Sequence, residues 1–270
     1  MVFDKLLFPL PSSVFMACSI TLVSSFIAGI SESKGNNLPY SKFGNTNSGQ
    51  KSKKESVFLS GRIGMLIVYT PALLASAISF WVYPNHDFRF LLVNSALALH
   101  FFKRDLEVSF VHKYSGKMML DSAIKISLSY CISTVSMIYN QHLMQGIVVY
   151  SVGIHDPKMD LKPVGIVVYS VSIMGNFYHH YLLSKLREDH DKKYKIPKGG
   201  LFGRVICPHY MFEILVFVGI SLMSQTIYQF CFTVGTICYL TGRSIATRKW
   251  YLSKFPNFPK HIKALVPFVF

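Results

Sequence analysis

Apolar residues come in long runs along this chain, with the polar residues gathered in short segments between them. The first run covers residues 10–30, and a polar loop rich in Gly, Asn, Ser and Lys follows at 31–56. The second, Val57 to Tyr83, is interrupted by Gly61, Arg62, Gly64 and Pro71. Glycine permits close helix approach, and a helix-interior proline lacks one backbone donor, so Pro71 should kink or locally open this helix. A short turn at Asn85-His86-Asp87 leads into a third run, Phe88 to Phe102, short for a span and closed by Lys103-Arg104. The fourth segment, 119–141, is weakly apolar. Its Ser122, Ser127, Ser129, Ser133, Thr134 and Ser136 mark a helix packed among others rather than facing lipid. The fifth run is Pro163 to Leu183, and a final pair fills 208–242, divided near Ser224-Gln225. Segments of about 20 apolar residues match the thickness of a bilayer core. The pattern predicts an all-α, polytopic membrane protein with six or seven transmembrane helices. The first run lacks a basic start and is too long for a signal peptide, so it reads as a retained span.

Composition supports this reading. Of 270 residues, 51% are hydrophobic and only 15% charged, and the mean hydropathy of +0.35 is high for a soluble domain. The formal net charge of +15 comes from 28 Lys and Arg against 13 Asp and Glu. A nucleic-acid partner would call for a soluble basic face, whereas here the bases sit in short segments between apolar runs. They suit positive-inside orientation and attraction of an anionic lipid or phosphorylated cofactor. The basic loops are 31–56, 103–117, 185–200 and 243–263. The last two are the expected cytosolic ones, and nothing in the pattern requires all four to share one side. Four of the five cysteines lie in apolar segments and none forms a CxxC pair, which argues against a disulfide framework or a zinc site. A nine-residue segment at 146–154 recurs at 165–173 with eight positions identical. It is too solitary for a solenoid repeat and reads as a local duplication.

There is no phosphate-binding glycine fingerprint, Walker loop, HExxH or GxSxG. Any cofactor must therefore be held by scattered side chains at helix ends. Candidates cluster in four places. His100, Lys103, Arg104 and Glu107 follow the third run, with Lys103 and Glu107 one helical turn apart. Asn176 and His180 share a face of the fifth helix, with Arg187 about two turns beyond His180. Adjacent histidines at 179 and 180 point to different faces, so no metal is expected there. Next come Tyr194-Lys-Ile-Pro-Lys-Gly199-Gly200-Leu-Phe202 and Cys207-Pro208-His209-Tyr210-Met-Phe-Glu213. Gly199-Gly200 would let backbone approach a ligand, and a Glu beside an apolar stretch is costly unless it faces a partner or a cavity. The end of the chain carries Arg243, Lys249-Trp250-Tyr251 and Lys263-Ala-Leu-Val-Pro-Phe-Val-Phe270.

These motifs resemble the steroid 5α-reductase family, which also includes enoyl-CoA and polyprenol reductases. The resemblance covers roughly residues 88–270 and is strongest over 176–270. It divides the chain into N-terminal transmembrane helices with a polar loop, 1–87, and a catalytic membrane domain, 88–270. The resemblance implies NADPH held at cytosolic helix ends by Arg104, Asn176, His180, Arg187, Tyr194, His209, Glu213, Arg243 and Tyr251. Four positions depart from the family pattern: His180 replaces a carboxylate, His209 an Asn, Thr247 a His and Phe101 a Tyr. Alignment on Pro71 puts Tyr69 where steroid-reducing relatives have a catalytic Glu, so Tyr69 is the expected carbonyl-polarising acid. The implied activity is reduction of a carbon–carbon double bond conjugated to a carbonyl in a lipid, first a Δ4-3-oxosteroid. A trans-2-enoyl-CoA is the second choice and a non-catalytic lipid-binding relative the third. The implied setting is the endoplasmic reticulum membrane, with substrate entering from the bilayer and no nucleic acid or metal as partner.

Overall fold

A computed structural model describes residues 6–8, 12–43, 57–83, 87–114, 116–150, 157–186 and 194–270. Seven α-helices are present among them: α1 Ser12–Ser33, α2 Gly61–Val82, α3 Phe88–Leu106, α4 Leu120–Tyr150, α5 Lys162–Lys185, α6 Pro208–Ser224 and α7 Ile227–Lys254. Each matches an apolar run of the sequence; α3, α4 and α7 extend a turn or more beyond it at their C-terminal ends, whereas α2 lies within its run. Strands too short for the pattern to reveal, β1 Phe58–Ser60 and β2 Lys117–Met119, pair antiparallel and tie the start of α2 to the start of α4. Ser60 caps α2 by accepting from the Ile63 N–H at 3.3 Å, and Asp87 caps α3 by accepting from the Phe90 N–H at 2.6 Å. α2 runs through Pro71 as one helix. Of the turn at 85–87, residues 85 and 86 lie outside the described residues, as does much of the 31–56 loop.

Pairings across the bundle fix the helix directions. Tyr69 meets Arg104 while Tyr83 meets Phe90, so α2 and α3 are antiparallel. Tyr169 bonds Ala96 while His180 meets Arg104, so α3 and α5 are parallel. Thr21 lies near Tyr228 and Gly29 near Gly242, so α1 and α7, far apart in sequence, run parallel. A Cβ on Gly242 would stand 2.0 Å from the Gly29 carbonyl oxygen. Only glycine allows these two backbones to touch.

Consequently the loops after α1, α3, α5 and α7 gather at one end, with the starts of α2, α4 and α6. The described residues of all four basic loops belong to that end, which the sequence pattern left open. Among the described lysines and arginines, only Arg89, Lys158 and Lys162 stand at the other. At that opposite end Gln225, in the left-handed region at φ 55°, joins α6 to α7. Its side chain accepts from Arg89 at 2.8 Å and donates to the carbonyls of Leu6 and Met159. The main core lies between α2, α3, α4 and α6, around Val68, Phe90, Leu97, Phe101, Phe217 and Ile220. A smaller one, Ile206, Cys207, Tyr251, Phe258 and Ile262, is closed by the C-terminal segment. That segment bonds to the loop before α6 through Ile206 N–H to Lys263 O at 2.9 Å and Lys263 N–H to Arg204 O at 2.9 Å.

Candidate functional site

A cavity of about 540 Å³ opens between α1 and α7 on one side and α2 and α4 on the other, with α6 at its back. This is the size range of small-molecule sites. Its inner half is lined by Val68, Tyr69, Tyr130, Phe217 and Phe232, and its outer half by Arg104, His180, His209, Tyr194 and several lysines.

The polar half is organised by the end of α3. His100, Lys103, Arg104 and Glu107 fall on one face by their spacing of three and four residues. A five-residue π-helical turn, Glu107–Val111, then closes the helix, with the His112 N–H donating to the Glu107 carbonyl at 2.7 Å. Such turns often mark functional sites. The Arg104 guanidinium donates to Glu107 Oε2 at 2.6 Å and to the Tyr69 hydroxyl oxygen at 2.6 Å. It also lies over the Tyr69 ring, 4.7 Å from the centroid. His180 Nδ1 stands 3.0 Å from the same Glu107 oxygen and 2.9 Å from Arg104 Nη1. Nδ1 accepts from the second Nη1 hydrogen in one tautomer and donates to the carboxylate in the other. Lys103 pairs with Glu107 Oε1 at 2.8 Å and donates to Asn176 Oδ1. Asn176 in turn donates to the His209 carbonyl at 2.8 Å and to Glu213 Oε2 at 3.0 Å. His100 Nε2 approaches Glu213 Oε1 at 3.3 Å. One charged network thus welds α2, α3, α5 and α6 together. Burial, with nearby His180 and Arg104 adding to it, holds His112 well below the usual imidazole range, so this ring is neutral near pH 7.

Of the ten residues singled out in the sequence, Tyr69, Arg104, His180, Tyr194, His209, Glu213 and Tyr251 line the cavity. Asn176 sits one layer behind, its amide fully engaged. Arg187 lies outside the described residues. Arg243 has partners quite different from the expected cofactor phosphate. It is buried against Glu32 at 2.7 Å, donates to the carbonyls of Leu38 and Tyr40, and lies over the rings of Tyr40 and Phe43 at 4.1 and 4.3 Å.

The Gly199-Gly200 pair also departs from expectation. Both have positive φ, 88° and 50°, and neither lines the cavity. A Cβ on Gly200 would stand 2.7 Å from His179 Nε2. The glycines serve a turn gripped by His179, whose Nδ1 faces the Gly175 carbonyl at 2.7 Å while Nε2 accepts from the Leu201 N–H at 3.1 Å. His179→Ala should free this turn and raise the proteolytic sensitivity of the segment around 195–204, read by limited digestion and mass mapping. Unchanged cleavage would refute the clamp.

Lys103, Glu107, His100 and Asn176 form the frame that the lining residues hang from. The helical spacing from His100 to Glu107 pointed to this frame. Tyr210, also on the cavity wall, lay within the Cys207–Glu213 motif, whereas Tyr130 carried no signal of its own.

The polar end fits a dinucleotide phosphate. Arg104, Lys42, Lys113 and Lys195 border it, and His209 Nδ1 is buried there without a hydrogen-bond partner. A metal fits poorly. Glu107, His112 and His180 bring ligand atoms within 4.8 Å of one another. Arg104 already stands among them as the counter-cation, so a dication would meet a guanidinium.

Among the described residues, two helical stretches, Val14–Ser33 and Gly61–Val82, are long and apolar enough to cross a membrane. Residues 117–270 match the family model described as 3-oxo-5-alpha-steroid 4-dehydrogenase. The chain is 36% identical over 107 residues to 3-oxo-5-alpha-steroid 4-dehydrogenase 1 of Macaca fascicularis, covering 40% of this chain and 41% of that protein. It is 29% identical over 171 residues to the Bos taurus protein of the same name, covering 63% and 65%. To Steroid 5-alpha-reductase DET2 of Gossypium hirsutum it is 38% identical over 107 residues, covering 39% and 42%. The chain thus spans about two fifths of the first of these relatives.

Proposed function

The chain belongs to the 3-oxo-5-alpha-steroid 4-dehydrogenase family, and from that premise we propose that it is an NADPH-dependent membrane reductase. Its substrate is a lipid with a carbon–carbon double bond conjugated to a carbonyl, most directly a Δ4-3-oxosteroid reduced to its 5α-dihydro product. The observation that carries this reading is the cavity, with an apolar half bearing Tyr69 and a cationic half bearing Arg104 and His180. NADPH, when bound, supplies the hydride for the β-carbon. Arg104, His180, His209, Tyr194 and Tyr251 would hold it, and Glu213 and Asn176 would keep that wall in place.

Tyr69 performs the acid step. Arg104 donates to its oxygen, so the hydroxyl proton is left for the substrate carbonyl. As enolate charge develops, Tyr69 hands over that proton while the guanidinium stabilises the phenolate left behind. The resulting enol returns to the ketone by protonation at the α-carbon. The clustering of basic loops at one end supports placing that end in the cytosol by the positive-inside rule. A multi-pass protein of the endoplasmic reticulum membrane, with substrate entering from the bilayer, follows from this reading.

Membranes containing the protein, given NADPH and progesterone, should yield the 5α-dihydro product by mass spectrometry. Tyr69→Phe should cut turnover roughly 10²–10³-fold, the loss typical of a carbonyl-stabilising donor. If no tested enone, enoyl-CoA included, is consumed with NADPH, the reading fails. A second reading, reduction of a trans-2-enoyl-CoA, is favoured by Lys113, Lys117 and Lys125 on the cavity rim, where they suit a phosphorylated carrier. Competition between acyl-CoA and steroid separates the two.

A further inference from the structure

Beside Tyr69, a second phenol faces the apolar half of the cavity. Tyr130 projects from α4 on the stripe formed with Ile126 and Ser129, and all three line the cavity. Its ring lies 5.7 Å from that of Tyr69 and packs edge-on against Phe101, also at 5.7 Å. Phe101 is fully buried and does not reach the cavity. Tyr130 therefore supplies a ring fixed on two sides, with its hydroxyl toward the open space. Among the described residues nothing hydrogen-bonds that hydroxyl, whereas the Tyr69 oxygen is taken by Arg104. That hydroxyl therefore keeps its donor available for a ligand acceptor.

We propose that Tyr130 is a second catalytic hydroxyl, donating to the same substrate carbonyl oxygen as Tyr69. The proposal rests on the enone-reductase reading above. A carbonyl oxygen has two lone pairs, one for each phenol. The roles differ by their partners. When hydride adds to the β-carbon, the double-bond electrons shift through the enone to the oxygen. Tyr69, beside a guanidinium able to stabilise its phenolate, gives up its proton. Tyr130, with no cation bonded to it, keeps its proton and holds the oxygen by a hydrogen bond. Ser129 sits one position away on the same wall, but its hydroxyl lacks the reach of a ring.

The test uses progesterone labelled with ¹³C at the conjugated carbonyl and bound to the full-length protein in detergent without NADPH. The infrared stretch of that carbonyl falls as hydrogen bonds to it strengthen. In Tyr130→Phe the stretch should move back toward its value in an apolar solvent, and in Tyr69→Phe likewise. A 3-fluorotyrosine at 130, a stronger donor, should lower it below wild type. In the presence of NADPH, Tyr130→Phe should lower kcat about 10²-fold with little change in KM. The substitution removes an oxygen that bonds nothing in the protein, so the melting temperature should hold. An unchanged stretch in Tyr130→Phe, or a loss carried wholly by KM, overturns the proposal while leaving the reductase reading intact. A wild-type protein that consumes no enone overturns the reductase reading and the catalytic role with it.

Discussion

Replacing Arg104 with alanine is expected to cost about 3–5 kcal/mol of stability and to abolish turnover with it. Arg104 is 7% exposed and donates to Glu107 and Tyr69 at 2.6 Å each. Removing it leaves the Glu107 carboxylate buried with only Lys103 and His180 beside it. It also takes away the charge that, in the proposed mechanism, lets Tyr69 part with a proton. The two losses separate in a double variant. Arg104→Met with Glu107→Gln removes both charges, and replacing a buried ion pair by neutral groups is often close to neutral in stability. The double variant should therefore regain most of its thermal stability in detergent and stay inactive. If Arg104→Ala melts within a degree of wild type, the network is not what holds these helices together.

Arg243→Ala should cause a loss of the same order, about 3–5 kcal/mol, for a different reason. The guanidinium is 1% exposed and satisfies Glu32, itself 1% exposed, together with two backbone carbonyls. It fastens the segment after α1 to α7, and alanine would strand the Glu32 charge. Arg243→Met with Glu32→Gln should recover much of the stability. The same double variant decides whether Arg243 also serves the cofactor. NADPH affinity measured by titration should be within about threefold of wild type if its role is structural. A drop of tenfold or more in a stable double variant, about 1.4 kcal/mol, would restore the phosphate-binding role that the sequence motif implied.

These two arginines show how far the sequence could be read. Apolar runs located the seven helices among the described residues, because apolar patterning is written in local composition. The ends were less legible. α4 extends to Tyr150 and α7 to Lys254, beyond the apolar runs that marked them. Helical spacing around Arg104 revealed its partner Glu107, since both lie on one turn. The partner of Arg243 is Glu32, 211 positions away, and no local pattern connects them. The Gly199-Gly200 motif was visible, but not its cause, because His179 approaches it from another helix. Tyr130 was hidden for a related reason. Its significance comes from Phe101 and Tyr69 on two other helices, and its own Ser-rich segment reads as packing.

The parallel contact between α1 and α7 sets an order of assembly. About 190 residues separate Ser33 from Ile227. At a synthesis rate of about 5–20 residues per second, α1 waits roughly 10–40 s before its partner helix exists. During that interval its Gly29 surface lacks the Gly242 backbone it packs against. The wall of the cavity made by α1 and α7 is therefore the last to form. A nascent chain stalled before Ile227 would carry the Tyr69–Arg104 pair in a bundle whose α7 wall is still missing.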